Sequence, residues 1–209
     1  FNIKKMKKNL LFLLISLILC IFVLLIVDQI LRKKSLGKPL LYYISPDIGY
    51  GLRPSQNITR DKKNYVKINN LGMRSLADWD KNFTNNKYKI LLFGDSVLYG
   101  GSYIDNTDTA SHILCKRILK INNRKIICGN YGTNAYGITN ITNRIIKETK
   151  IITPDLIIVQ LTSGNIARGK TSISGQPFYA KPIDGFFKAF KEIILFYYDS
   201  IRIKLRYGE

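Results

Sequence analysis

Lys89-Ile90-Leu91-Leu92-Phe93-Gly94-Asp95-Ser96-Val97 is the stretch on which the fold turns. Ile90 to Phe93 are apolar without polar alternation and end on a glycine, the pattern of a strand buried on both faces of a parallel sheet and entering a sharp turn. Downstream, apolar residues recur at Ala110, Leu114, Ile118 and Ile121, with Lys116 and Lys120 on another face, so residues 109–121 are expected to be helical. A second strand is expected over 124–128, a second helix over 139–150, a third strand over 156–161 after Pro154-Asp155, and an amphipathic helix over 186–205. Strands alternating with helices imply right-handed crossovers, so the expected fold class is α/β, a three-layer, doubly wound parallel sheet of flavodoxin-like type. Upstream, residues 46–74 are rich in turn formers and short of long apolar runs, and the ordered core is expected to begin only after them.

Ahead of this lies a membrane signal. Residues 10–27, LLFLLISLILCIFVLLIV, carry no charge, about the minimum length that spans a hydrocarbon core as helix. Lys4, Lys5, Lys7 and Lys8 precede it, and Arg32, Lys33 and Lys34 follow Asp28, so the charge bias weakly favours a cytoplasmic N-terminus. The segment leads into Asp28-Gln29-Ile30-Leu31-Arg32, which lacks the small residues of a cleavage site, so an uncleaved anchor is expected rather than a signal peptide. Cys20 follows Leu19 where lipidation would want a small residue.

Formal net charge is +19, from 33 Lys+Arg against 14 Asp+Glu, which raises nucleic acid as a partner. The lysines are scattered through a chain that is also heavy in Ile and Asn, and no basic run is interleaved with stacking aromatics, so no nucleic-acid partner is expected. With one His and three scattered Cys there are too few ligands for a zinc site, and no P-loop or dinucleotide fingerprint is present, so no metal or organic cofactor is expected. Cys115 and Cys128 could pair in an oxidising compartment; two buried thiols are the favoured state, and spacing alone does not decide.

The chemistry gathers at the strand ends. Gly94-Asp95-Ser96 follows the first strand, at the carboxyl edge where open α/β sheets place their sites. Ser96 there is either an exposed nucleophile or, with Asp95, an ordinary helix cap. The second strand leads into Asn130-Tyr131-Gly132-Thr133-Asn134-Ala135-Tyr136-Gly137 and the third into Leu161-Thr162-Ser163-Gly164-Asn165. A small-residue loop can aim a backbone N–H and an Asn can offer an amide donor, so these segments could form an oxyanion hole.

These segments together resemble the SGNH, or GDSL-type, serine ester hydrolases. Gly94-Asp95-Ser96-Val97 is similar to the first block with its nucleophile, Asn130 to Gly137 to the second, and Gly164-Asn165 to the third. Asp47-Ile48-Gly49-Tyr50 and Ile68-Asn69-Asn70-Leu71-Gly72-Met73-Arg74 are similar to the leader of bacterial membrane-anchored members, so the resemblance covers about residues 46–200. It implies Ser96 as catalytic nucleophile, the Ala135 N–H and Asn165 amide as oxyanion donors, and Gly94, Asp95 and Gly164 as loop-shaping residues. It implies an esterase or O-acyltransferase acting on acylated small-molecule, glycan or lipid substrates of the envelope, in a soluble domain outside the cytoplasmic membrane; whether it hydrolyses or transfers is open. The chain then divides into a basic N-terminus (1–9), a transmembrane anchor (10–31), a connector and leader (32–88) and the N-terminal part of a hydrolase-like domain (89–209).

Three positions depart from the family pattern. Ala135 stands where the family has its oxyanion glycine, and Ile166 where an acid usually follows the third-block Asn. The closing Asp-x-x-His block has no counterpart, and His112, the only histidine, is expected to be a surface or capping residue. Without that base a serine hydroxyl stays a weak nucleophile, so this chain alone is expected to be inactive. A fragment or a true pseudoenzyme would each explain the gap. Phe1, which is not a start residue, and the presence of only three strands favour the fragment.

Overall fold

A computed structural model describes residues 3–60, 64–176 and 178–207; Phe1 and Glu209 lie outside the described residues. Helix α1, Ile3–Lys33, is followed by two antiparallel hairpins, β1 (Tyr42–Ser45) with β2 (Gly49–Leu52) and β3 (Gln56–Arg60) with β4 (Asn64–Ile68). After the short α2 (Lys81–Thr84) come β5 (Tyr88–Phe93), α3 (Ser96–Tyr99), α4 (Ala110–Arg117), β6 (Lys120–Ile121) and β7 (Arg124–Asn130). The chain continues through α5 (Ile138–Thr149), β8 (Leu156–Val159), α6 (Ser163–Arg168) and α7 (Lys188–Tyr207).

The main sheet has the order β6-β7-β5-β8, and it is mixed. β5 lies between β7 and β8, parallel to both, with Leu92 opposite Asn130 and Phe93 opposite Val159. The first connection therefore runs from β5 to β7 and the second returns from β7 past β5 to β8, and this change of direction opens a crevice at the carboxyl end of β5 and β8. β6 adds an antiparallel edge strand. At the other edge, Leu156, Ile157 and Val159 of β8 are each more than a third exposed, an apolar edge of the kind that pairs with a further strand.

Strand periodicity divides the core. Leu91, Phe93 and Ile127 face Tyr50, Leu52, Val66, Ile68, Met73 and Trp79, while Ile90, Leu92 and Ile126 face the opposite side and meet Leu98 and Leu114. The sheet is thus covered by the hairpins and α5 on one face and by α4 on the other.

Several expectations are corrected. The core does not wait for residue 89: the turn-rich leader supplies some of its most buried side chains, because β4 alternates inward Val66 and Ile68 with less buried residues and β2 buries Tyr50 and Leu52 on either side of the buried Gly51. The helix expected over 109–121 stops at Arg117, since Asn122 and Asn123, both at positive φ (49° and 59°), make a two-residue turn joining β6 to β7. Cys115 and Cys128 are not free thiols but a disulfide, their Cα atoms 5.9 Å apart, bridging α4 to β7. The third strand ends at Val159, two residues earlier than expected.

α1 is long and apolar enough to cross a membrane: its Leu10 to Val27 stretch lies exposed along the whole run. Its end is tied to the domain. Asp28, buried, accepts the backbone N–H groups of Ala189 (3.0 Å) and Phe190 (3.2 Å) in the first turn of α7 and pairs with Arg32 at 2.7 Å. A carboxylate at that helix N-terminus satisfies donors that the helix itself leaves unpaired.

Candidate active site

The carboxyl edge of β5, β7 and β8 gathers the loops singled out in the sequence. β5 delivers Gly94 and Asp95 and then turns at once into α3. Asp95 is the cap of that helix, its side chain accepting the Val97 N–H at 2.9 Å, which leaves Ser96 as first helical residue. Ser96 is exposed, and its hydroxyl has no hydrogen-bond partner among the described residues. Gly94 lets the turn close: a Cβ there would fall 2.5 Å from Gln160 Oε1, the atom that accepts the Asp95 N–H.

The loop after β7 is pressed against α3. The Thr133 N–H donates to the Gly94 carbonyl (3.1 Å), Asn130 Nδ2 donates to the Leu98 carbonyl (2.9 Å), and a Cβ at Gly132 would lie 2.4 Å from the Tyr99 nitrogen. Only glycine allows that approach. Ala135 has φ +59°, the left-handed region that favours glycine. It is held there by its neighbours: the Asn134 carbonyl accepts from Tyr50 Oη (2.7 Å) and the Ala135 carbonyl from Thr171 Oγ1 (2.9 Å). The half-buried Ala135 N–H makes no hydrogen bond among the described residues.

Asn165, on α6, has no exposed surface and is fully engaged. Its Nδ2 donates to Asp95 Oδ2 (2.9 Å) and to the Tyr136 carbonyl (2.9 Å), while its Oδ1 accepts from the Thr162 N–H (2.6 Å) and Oγ1 (2.9 Å). One side chain thereby joins the first, second and third loops. In this arrangement the amide faces Asp95 and Tyr136 rather than open space.

Ile166 is 68% exposed and orders nothing, and Arg168 takes up the work expected of an acid there. Its Nε donates to the Gly164 carbonyl (2.9 Å) and its Nη2 reaches Asp95 Oδ2 at 3.3 Å. Asp95 is thus a buried carboxylate held by the Val97 N–H, the Asn165 amide and the Arg168 guanidinium.

His112 is not brought to Ser96. It lies on α4, against a cavity that it shares with Leu76, Trp79, Cys115 and Cys128.

The sequence reading missed Arg74 as a site-shaping residue. It is 2% exposed, and it donates to the carbonyls of Tyr99 (2.8 Å), Gly101 and Ile104 (2.6 Å) and to Asn106 Oδ1 (2.9 Å), with its guanidinium 4.8 Å from the Tyr99 ring centroid. It fixes the course of the chain that leaves α3. The one available signal was its place at the end of the leader segment Asn69 to Arg74. A second buried arginine, Arg144, ion-paired to Glu148 at 2.8 Å, supports the second loop from beneath through Tyr131, whose hydroxyl donates to Glu148 Oε2 at 3.1 Å. Burial pushes the Tyr131 and Tyr136 phenols upward, so both remain neutral donors across the physiological range.

Comparison with known protein families and with curated proteins finds no match.

Proposed function

We propose that this chain carries the nucleophile of a membrane-anchored SGNH-type ester hydrolase or O-acyltransferase, built on the three-layer doubly wound sheet of that superfamily and facing the outside of the cytoplasmic membrane. The observation that carries the reading is Ser96: an exposed hydroxyl at the mouth of β5, beside the loop that carries the unbonded N–H of Ala135 and that donates to the Gly94 carbonyl through the Thr133 N–H at 3.1 Å. An acyl carbonyl placed between them would be attacked by Ser96 Oγ as the histidine of the expected Asp-x-x-His block takes the hydroxyl proton. The carbonyl π electrons move to the oxygen, which the Ala135 N–H meets, and collapse expels the alcohol with that proton, leaving an acyl-serine for water or an acceptor alcohol. Asn165 would add a second donor by exchanging its bond to the Tyr136 carbonyl for one to the substrate oxygen. Asp95 does not act on the substrate in this scheme; it holds α3 and α6 in register.

The outward-facing assignment draws support from the Cys115–Cys128 disulfide, a bond that persists in oxidising compartments. With Lys4 to Lys8 inside, a reporter fused after Glu209 should be active only if it is an export-dependent one; a signal from a cytoplasmic reporter would overturn the orientation.

A second reading, a non-catalytic SGNH-like domain in envelope assembly, is favoured by one observation: among the described residues neither a histidine nor a carboxylate hydrogen-bonds the Ser96 hydroxyl. The two readings separate on the complete reading frame of the gene. A downstream Asp-x-x-His and turnover of an aryl ester that Ser96→Ala abolishes support the enzyme. A stop codon after Glu209 and no turnover support the binding domain.

A further inference from the structure

An open cavity of about 480 Å³ lies between the candidate site and the end of the membrane helix. Its walls are mainly apolar, with Leu40, Phe178, Ile193 and Phe196 among them, and Tyr42 stacks on Phe178 with ring centroids 4.5 Å apart. Asn134 and Ser102 mark the end near the site, and the buried Glu192 carboxylate, which accepts the Gly37 N–H, lies toward the anchor. Asn134, which precedes Ala135, reaches the Tyr42 hydroxyl at 3.3 Å, and Ser102 Oγ is 3.2 Å from the hydroxyl of Tyr99, the last residue of α3.

The opposite end faces the anchor. Leu36 lines the cavity three residues after α1 ends, and α7, which supplies Ile193, Phe196 and Tyr197, begins on the Asp28 carboxylate of α1 itself. Phe196 and Tyr197 on its rim are 47% and 63% exposed, side chains of the kind that settle at the level of lipid headgroups. A cavity of this size and lining suits a flexible apolar ligand with one polar end. Its position leaves the bilayer as the nearest source of one.

We propose that this cavity is an acyl-chain site, filled by the hydrocarbon chain of a membrane-resident lipid whose polar end points to Asn134 and Ser102. That the chain is the acyl part of the substrate rests on the reading of Ser96 as nucleophile; its binding does not.

The test uses the whole chain in lipid nanodiscs, with a long-chain fatty acid bearing a diazirine at its methyl end as the probe. Irradiation should label Leu36, Ile193 or Phe196, and unlabelled fatty acid should compete. Ile193→Trp, which fills the cavity, should weaken binding about tenfold, as expected from excluding about two methylenes. Tyr197→Glu, at a position exposed enough for folding to be unaffected, puts a carboxylate on the rim and should weaken it likewise, whereas Ile146→Glu on α5 should not. Labels confined to α1, equal affinity in both cavity variants, or cross-links showing the cavity filled by a second copy or by another segment of the chain would each overturn the proposal. Ser96→Ala should leave labelling intact. With turnover measured on a protein that also carries the expected Asp-x-x-His block, labelling without Ser96-dependent turnover would refute the hydrolase reading alone, and Ser96-dependent turnover without labelling would refute the acyl site alone.

Discussion

Asn165→Ala should reduce the stability of the protein by about 3–4 kcal/mol, the sum of leaving two or so partly buried groups unsatisfied at about 1–3 kcal/mol each. The groups are identifiable: the Tyr136 carbonyl and the Thr162 N–H each lose their bond to the amide, whereas Asp95 keeps the Val97 N–H and Arg168. Against a typical total of about 5–15 kcal/mol, such a loss is easy to see. Equilibrium urea unfolding in a non-ionic detergent, followed by the fluorescence of Trp79, the only tryptophan and a core residue at 3% exposure, would measure it. Asn165→Asp tests the same contact by charge. Its carboxylate would stand where Nδ2 now sits, 2.9 Å from Asp95 Oδ2, so it should destabilise more than alanine at neutral pH and recover as acid protonates one of the pair. A loss below about 1 kcal/mol for Asn165→Ala would refute the reasoning, because it would mean that the amide is not holding the three loops together.

Ala135→Gly should stabilise by about 0.5–1 kcal/mol, the left-handed strain relieved less the extra freedom of glycine in the unfolded chain, read as a rise in melting temperature; no change would mean that φ +59° carries no strain. Arg74→Met should cost about 3 kcal/mol or more, since the carbonyls of Tyr99, Gly101 and Ile104 lose their donor, and should open the segment after α3 to limited proteolysis. Alkali should unfold the protein steeply. Burial raises the phenols of Tyr42, Tyr50, Tyr131 and Tyr136, and that of Tyr43 to about 12. A folded-state value above the unfolded one means that the stabilisation is complete below about pH 10 and is lost as pH rises through the folded values. Melting temperature should therefore fall between about pH 10 and 12, and Tyr43→Phe should lessen the fall; a flat profile would contradict it.

The legible parts of the chain were those whose signal is local. Ile90 to Phe93 announce a doubly buried strand because nothing polar interrupts them, and Gly94-Asp95-Ser96 announces a turn into a helix. The hairpins of the leader were harder, because four- and five-residue strands with inward tyrosines leave little contrast between core and surface. Asn122-Asn123 is a turn signal that a continuing apolar stripe outweighed, and the stripe ended where the side chains of Ile118 and Leu119 remain exposed. The Cys115–Cys128 bond depended on α4 packing against β7, a tertiary fact. Arg74 and Arg144 run against the expectation that arginine stays in solvent; the Tyr99 ring and carbonyl, distant in sequence, offset the burial of Arg74, and the Tyr131 ring with Glu148, one helical turn on, that of Arg144. At the site, residue types were legible but the direction of the Asn165 amide was not, since it is set by Asp95 on another loop.

On the proposed reading, Ser96 Oγ is the atom that attacks the substrate. A fluorophosphonate, which phosphonylates an activated serine with loss of fluoride, offered to the complete gene product in membranes and followed by peptide mass spectrometry, tests that role. The account predicts a single adduct on the peptide containing Ser96, absent in Ser96→Ala and accompanied by loss of aryl-ester turnover. An adduct on another residue, or turnover undiminished in Ser96→Ala, would contradict it.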